Sequence, residues 1–226
     1  MRFHTPVIIV GQGEVHEEWL VKLAARFPVI ALDGALQITA ALGLKADLVI
    51  GDCDSVDKTL IEEAADQIVH ITEQDSTDFE KALYSVEAPL FLCFGIFGKR
   101  FDHSFANMHI MKKYHDRAPL IVINADEVIT CHKGDLLAET KTDSRVSILP
   151  LEPITFARTS GLLWPFDGQE LAMGGLVSSS NQAVGDQLSL SPISSDQDKT
   201  YLLCRDLGLL TLMLQPYIQE EEMTKR

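Results

Sequence analysis

The sequence predicts an α/β protein in two parts. An N-terminal, mostly parallel sheet flanked by helices is expected over residues 1–133, and a C-terminal antiparallel β-sandwich or barrel over residues 134–226. Three observations lead there. Short apolar runs alternate with helical periods until the chain changes character near residue 130, the pattern of a parallel sheet covered on both faces. From about Ser144 the helical period disappears, and short segments rich in β-formers follow, broken by Pro, Gly, Asp and Ser. Finally, 226 residues at 46% apolar and 23% charged suffice for one or two cores, at ~150 residues per domain. With 14 Gly and 9 Pro, both ordinary counts, disorder and low complexity are excluded as the main state.

The elements follow in order. Residues 7–10 form the first strand, and 14–26 a helix with Trp19, Leu20, Leu23, Ala24 and Phe27 on one face. Residues 29–32 are the second strand, before a short helix from Ala35 that Gly43 closes. The third strand is 48–50, with a helix over about 57–65, and the fourth is 68–71. Ser76 is expected to cap the next helix, which buries Phe79, Ala82, Leu83 and Val86. The fifth strand is 90–94, the helix after it 102–114, and the sixth strand 120–123. Beyond lie β-forming segments at 146–149, 162–164, 176–179, 188–190, 201–204 and 209–214, with a solvated acidic tail at 220–222.

The net charge is 19 − 33 = −14. Such a chain repels phosphate backbones and anionic lipid, so neither a nucleic acid nor a membrane is expected as partner. The longest apolar run, 90–97, falls far short of the ~18 residues a membrane span needs. Four cysteines lie far apart with no C-x-x-C pair, as reduced thiols do, and the expected location is the cytoplasm.

Polar residues gather where these strands end. Asp33 follows the second strand, Asp52 and Asp54 the third, Gln74, Asp75 and Asp78 the fourth, and Arg100 and Asp102 the fifth. Open α/β sheets bind ligands outside the carboxyl ends of their strands. One Asp after a strand is usually a helix cap; four successive strands delivering carboxylates to one rim is the chemistry of a hard cation. Mg²⁺ takes one or two carboxylates plus substrate phosphates. Gly51-Asp52-Cys53-Asp54-Ser55 is the sharpest segment, with two carboxylates two residues apart. No P-loop pattern is present, and Gly11-Gln12-Gly13 opens a dinucleotide fingerprint that His16 breaks. Asp52 to Val56 also fits the D-x-D-x-[TV] of haloacid-dehalogenase phosphatases, but here it follows the third strand rather than the first.

Taken together, Gly51-Asp52-Cys53-Asp54-Ser55, Gln74-Asp75-Ser76-Thr77-Asp78-Phe79-Glu80-Lys81 and Gly95-Ile96-Phe97-Gly98-Lys99-Arg100-Phe101-Asp102-His103 with Asn107 resemble the thiamine pyrophosphokinase family in order and spacing. Gly161-Leu162-Leu163-Trp164-Pro165 and Leu176-Val177-Ser178-Ser179-Ser180-Asn181 look like that family's thiamine-binding β-domain. The resemblance covers about residues 29–205, with departures at Cys53 for Phe, Lys99 for Gly, and Gln37 for Asn. It implies transfer of a pyrophosphoryl group from ATP to thiamine, giving thiamine diphosphate and AMP. It further implies Mg²⁺ held by Asp52, Asp54, Asp78 and Asp102, and ATP bound by Asp33, Gln74, Asp78, Lys81 and Arg100. Catalysis would fall to Asp52, Asp54, Asp78, Arg100 and Asp102, and thiamine binding to Trp164, Ser178, Ser180 and Asn181. In the family the pocket is built across a two-fold dimer, so a homodimer with shared active sites is expected. Two other readings fit the same residues: an Mg²⁺-dependent phosphatase using Asp52 and Asp54, and a non-catalytic nucleotide or thiamine sensor.

Overall fold

The computed structural model describes residues 1–52, 56–64, 68–117 and 119–224, which form two units, one of residues up to 125 with those from 220 onward and one of residues 126–219. In the first, strands β1 (Val7–Val10), β2 (Val29–Leu32), β3 (Leu48–Gly51), β4 (Ile68–His70), β5 (Phe91–Phe94) and β6 (Leu120–Ile123) alternate with helices. These helices are α1 (Glu17–Ala24), α2 (Ala35–Ala41), α3 (Lys58–Glu63), α4 (Asp78–Ser85) and α5 (Phe101–Tyr114). The strands pair in parallel in the order β6-β5-β1-β2-β3-β4. Five of the six are buried along their whole length, which is why they read VIIV, VIAL, LVIG, FLCF and LIVI instead of alternating. The edge strand β4 is partly exposed and ends in His70.

From β1 the chain builds outward through β2, β3 and β4, then returns to place β5 and β6 on the other side of β1. The order therefore reverses between β1 and β5, and the loops leaving their carboxyl ends part company there. Glycines let those two loops cross closely. A Cβ on Gly13 would stand 2.1 Å from the Phe97 carbonyl oxygen, and one on Gly11 2.6 Å from that of Gly95. The approach is sealed by Gly11 N donating to Phe94 O at 2.8 Å and Gly13 N to Gly95 O at 2.7 Å.

The second unit holds β7 (Glu127–Lys133), β8 (Leu136–Glu139), β9 (Arg145–Pro150), β10 (Ile154–Ser160), β11 (Glu170–Leu171), β12 (Ser178–Gln182), β13 (Gln187–Pro192) and β14 (Thr200–Asp206). They pair antiparallel as β12-β9-β14-β7 and β11-β10-β13-β8. Val146 and Ile148 of one layer, Phe156, Leu188 and Leu190 of the other, and Tyr201 and Leu203 share one core, with Phe156 edge-on to both Phe166 and Tyr201. This is the sandwich the sequence predicts.

Some expectations are corrected. The run 209–214 is no strand: helix α6 (Leu210–Thr224) begins there and continues through Pro216. Leu210 and Leu214, four apart, are buried, while Leu212 between them is exposed. Residues 162–164 form no strand either, since Leu162 makes a single bridge to Ala183. The strand expected at 176–179 starts only at Ser178. The cap of α4 is Thr77, whose hydroxyl accepts from Glu80 N at 3.3 Å; Ser76 instead donates its hydroxyl to Glu73.

Candidate functional site

A cavity of about 480 Å³ opens beyond the carboxyl ends of the parallel strands. It is lined by the β1 loop (Gly11, Gln12, Gly13), by Asp52 after β3, by Gln74 and the start of α4, and by the loop after β5 with the first turns of α5. The sequence-predicted Asp52, Gln74, Asp78, Lys81 and Arg100 all reach it. Asp54, with Cys53 and Ser55, lies outside the described residues.

Each side chain is held by its own element. Asp78 is the first residue of α4, and one turn later Lys81 donates to its Oδ1 at 3.1 Å. The Lys81 side chain is only 4% exposed, because α4 packs its buried face on β2 and β3. Burial raises the Asp78 carboxyl above its usual range; Lys81 opposes this, and the nearby charges of Asp33 and Asp52 add to it. Burial pulls the Lys81 ammonium down, but the Asp78 hydrogen bond and the attraction of Asp78, Glu73 and Asp52 outweigh it, and the net shift is upward. The two partners differ because burial, the largest cause at each, outweighs the pairing at Asp78, where like charges add to it, but not at Lys81. The pair sits in a surplus of negative charge.

Gln74 Nε2 donates to Asp52 Oδ2 at 3.3 Å, joining the β3 and β4 loops. Asp33 is buried after β2 with a left-handed φ of 44°, and its N–H donates to Ile50 O at 2.9 Å. A side chain at Gly51 would stand 2.8 Å from Asp33 Cβ, so glycine there lets the β2 and β3 ends meet. Arg100 grips Asp102 in a fork, Nε to Oδ1 at 3.2 Å and Nη2 to Oδ2 at 2.6 Å, which holds the Asp102 carboxyl below its usual range. Both are largely exposed, and Asp102 stands at the rim rather than among the cavity-lining residues.

Sequence reasoning gave no role to several residues. Asn107, named there only as part of the family pattern, is buried and donates to Ile96 O at 2.7 Å, fixing the loop after β5. Glu73 accepts from Asp75 N at 2.7 Å, Ser76 N at 3.1 Å and Tyr84 OH at 3.0 Å, and so shapes the loop that carries Gln74. The Gly11-Gln12-Gly13 loop lines the cavity although its pattern fails as a dinucleotide fingerprint.

The residues expected for thiamine gather in the second unit. Buried Asn181 donates to Trp164 O at 2.7 Å and Ser178 Oγ at 3.1 Å, and its Oδ1 accepts from Trp164 N at 3.2 Å. Ser180, exposed at φ 54°, donates its N–H to Ser147 Oγ at 3.0 Å. Trp164 is left 59% exposed, and Leu163, Met173, Leu176, Val177 and Val184 of the same unit are exposed too.

Comparison with known families places both units in a single context. The profile described as thiamin pyrophosphokinase, catalytic domain, matches residues 23–123, and that described as thiamin pyrophosphokinase, vitamin B1 binding domain, matches residues 136–197. The chain belongs to the thiamin pyrophosphokinase family. Thiamine pyrophosphokinase 1 of Arabidopsis thaliana is 26% identical over 174 residues, 68% of this chain and 63% of its own length. Thiamin pyrophosphokinase 1 of Caenorhabditis elegans is 26% identical over 163 residues, 66% of this chain and 67% of its own. The chain thus spans a little under two thirds of the plant relative. Among solved structures, thiamine pyrophosphokinase from Bacillus subtilis superposes with a TM-score of 0.74 at 18% identity, covering 89% of this chain and 99% of that one. Thiamin pyrophosphokinase from Candida albicans does so with 0.78 at 15% identity, covering 90% and 89%. At these identities the structures establish the fold: the family's α/β unit followed by its antiparallel one. No helix among the described residues is long and apolar enough to cross a membrane.

Proposed function

We propose that this chain is a thiamine diphosphokinase, moving a diphosphoryl group from ATP to thiamine and releasing AMP. The observation that carries the reading is the convergence of Asp52, Gln74, Asp78, Lys81 and Arg100 on one cavity at the switch point of the sheet. Membership of the family, through both of its domains in order, supplies the substrates. In the reaction the thiamine hydroxyl oxygen forms a bond to the β-phosphorus of ATP. The bond from that phosphorus to the oxygen bridging to the α-phosphorus breaks, and the electron pair leaves with AMP. The hydroxyl proton passes to a rim carboxylate. Such transfer depends on positioning and charge stabilisation. Asp33 and Gln74 would orient the nucleotide, and Lys81 and Arg100 would offset charge on the transferred group and on departing AMP.

Mg²⁺ fits the residues present. The donors are carboxylate oxygens, and Asp78 lies in a surplus of negative charge that a divalent cation would relieve. Among the described residues no group of three His, Cys, Asp or Glu side chains gathers as a metal site. Asp52, Asp54, Asp78 and Asp102 would hold Mg²⁺, and it would neutralise phosphate charge. Trp164, Ser178, Ser180 and Asn181 would bind thiamine, whose cationic, aromatic character suits an exposed indole with hydroxyl and amide neighbours. The division of labour follows the two domains, 1–133 for nucleotide and metal, 134–226 for thiamine and dimerisation. The exposed apolar residues of the second unit suit a homodimer with shared sites, in the cytoplasm. Incubation with Mg-ATP and thiamine, followed by chromatography, tests the reading. AMP and thiamine diphosphate are expected in equal amounts; free phosphate would favour a phosphatase, and no turnover a sensor.

A further inference from the structure

Three side chains with fixed positive charge line the cavity: Lys81, Lys99 and Arg100. Two of them are already committed. Lys81 is bound to Asp78 at 3.1 Å, and Arg100 is forked onto Asp102. Lys99 is exposed at the cavity wall and makes no ion pair among the described residues. Its backbone is also unusual. At φ 54° it occupies the left-handed region that favours glycine, directly after Gly98 at φ 87°. The loop is tied down on both sides of it, since Ser104 Oγ accepts from Gly98 N at 3.2 Å and donates to Arg100 O at 3.1 Å. A side chain kept in a strained backbone, at the wall of a functional cavity, calls for a role that glycine could not fill.

We infer that Lys99 is a substrate-binding residue that contacts the terminal phosphates of the nucleoside triphosphate. A polyphosphate entering this cavity meets the carboxylates of Asp52 and Asp78, and Lys81 and Arg100 offset its charge only in part while they stay paired to carboxylates of their own. Lys99 contributes a full positive charge without first breaking an ion pair, on a flexible stem able to follow a phosphate. Because the contact is to the phosphate tail, it discriminates in favour of the triphosphate over the monophosphate product. Product release is eased by the same preference. This inference rests on the nucleotide reading of the site, but not on thiamine as the acceptor.

Calorimetric titration of the full chain with ATP and with AMP, each with Mg²⁺, separates the possibilities. In Lys99→Gly and Lys99→Gln the dissociation constant for ATP is expected to rise about fivefold, the effect of one exposed charge at contact distance. That for AMP should change less than twofold, and Lys99→Arg should restore ATP affinity. The difference for ATP should shrink as salt is raised. Lys99→Gly, which relieves the left-handed strain, should melt no lower than the wild type, so the loss cannot be one of folding. Equal ATP affinity in the wild type and both neutral variants would overturn the inference, as would a wild type that binds no ATP. If ATP binds and weakens as described while no thiamine diphosphate forms, Lys99 keeps its role and the proposed function fails.

Discussion

Asp78 and Lys81 hold the greatest leverage of any residue pair in the cavity, because they are partly removed from water and face opposite demands. The carboxylate is pushed toward its neutral form by burial and by two like charges, while the buried ammonium depends on it. Asp78→Asn should lower turnover at least ~10²-fold by removing charge that organises the phosphates. It should also cost about 2–4 kcal/mol of stability, since Lys81 loses its partner; the Asp78 side chain is one-third exposed, so the loss falls below that of a fully buried pair. The double variant Asp78→Asn/Lys81→Met should regain most of the stability and none of the turnover. Thermal melting and steady-state rates measured on the same samples check both. Recovery of activity in the double variant would show that the carboxylate serves only the ion pair.

At the scale of elements, the N-terminal end of α4 and the loops of the sandwich give separate tests. Thr77→Ala should destabilise the first unit by about 1 kcal/mol, because the hydroxyl satisfies Glu80 N. A Tm unchanged from the wild type would transfer the cap elsewhere. In the second unit, Asp167 takes hydrogen bonds from Thr159 Oγ and N, both at 2.6 Å, and Asp196 from Thr155 N at 2.8 Å. Those bonds hold both carboxyls below their usual range, for Asp196 with help from Lys199. The unfolded chain, with ordinary values near ~3.9, therefore binds more protons in the window beneath that value. Stability from this source is complete above the unfolded value and is lost as pH falls through the folded one. Melting temperature should decline on the acid side, and more gently in Asp167→Asn/Asp196→Asn. Parallel curves for the two proteins would assign the acid sensitivity to other groups.

These elements also mark what could be read from sequence. The parallel strands were legible because burial on both faces leaves unbroken runs such as VIIV and LIVI. The run 209–214 was not, since its five apolar side chains, both alternating and adjacent, suit either period, and Pro216 is the usual sign of a helix that stops. Strand β10 went unread because its outward face carries Arg158 and its pairing with β13 contains a bulge. Within the site, charged residues after strand ends could be placed by counting, whereas Asn107 and Glu73 act through backbone groups whose positions only the fold defines. Lys99 was visible as a departure from a family pattern, but its φ and its lack of an ion pair were not.

For the whole molecule, the open matter is how the exposed indole and apolar residues of the second unit are used. If thiamine sites are shared across a homodimer, an Asp78→Asn chain and an Asn181→Ala chain should complement when mixed under conditions of subunit exchange. Random pairing then restores one intact site in each heterodimer, and about a quarter of wild-type activity. A mixture that stays inactive despite confirmed exchange would mean that each chain completes its own sites. The central claim, transfer of a diphosphoryl unit in one step, is tested most directly by the fate of the β-phosphorus. With ATP labelled at that position, Mg²⁺ and thiamine, the account predicts that all transferred label appears in thiamine diphosphate, at the phosphorus bonded to the thiamine oxygen, and that AMP is unlabelled. Label recovered in ADP, with thiamine monophosphate as the product, would contradict it.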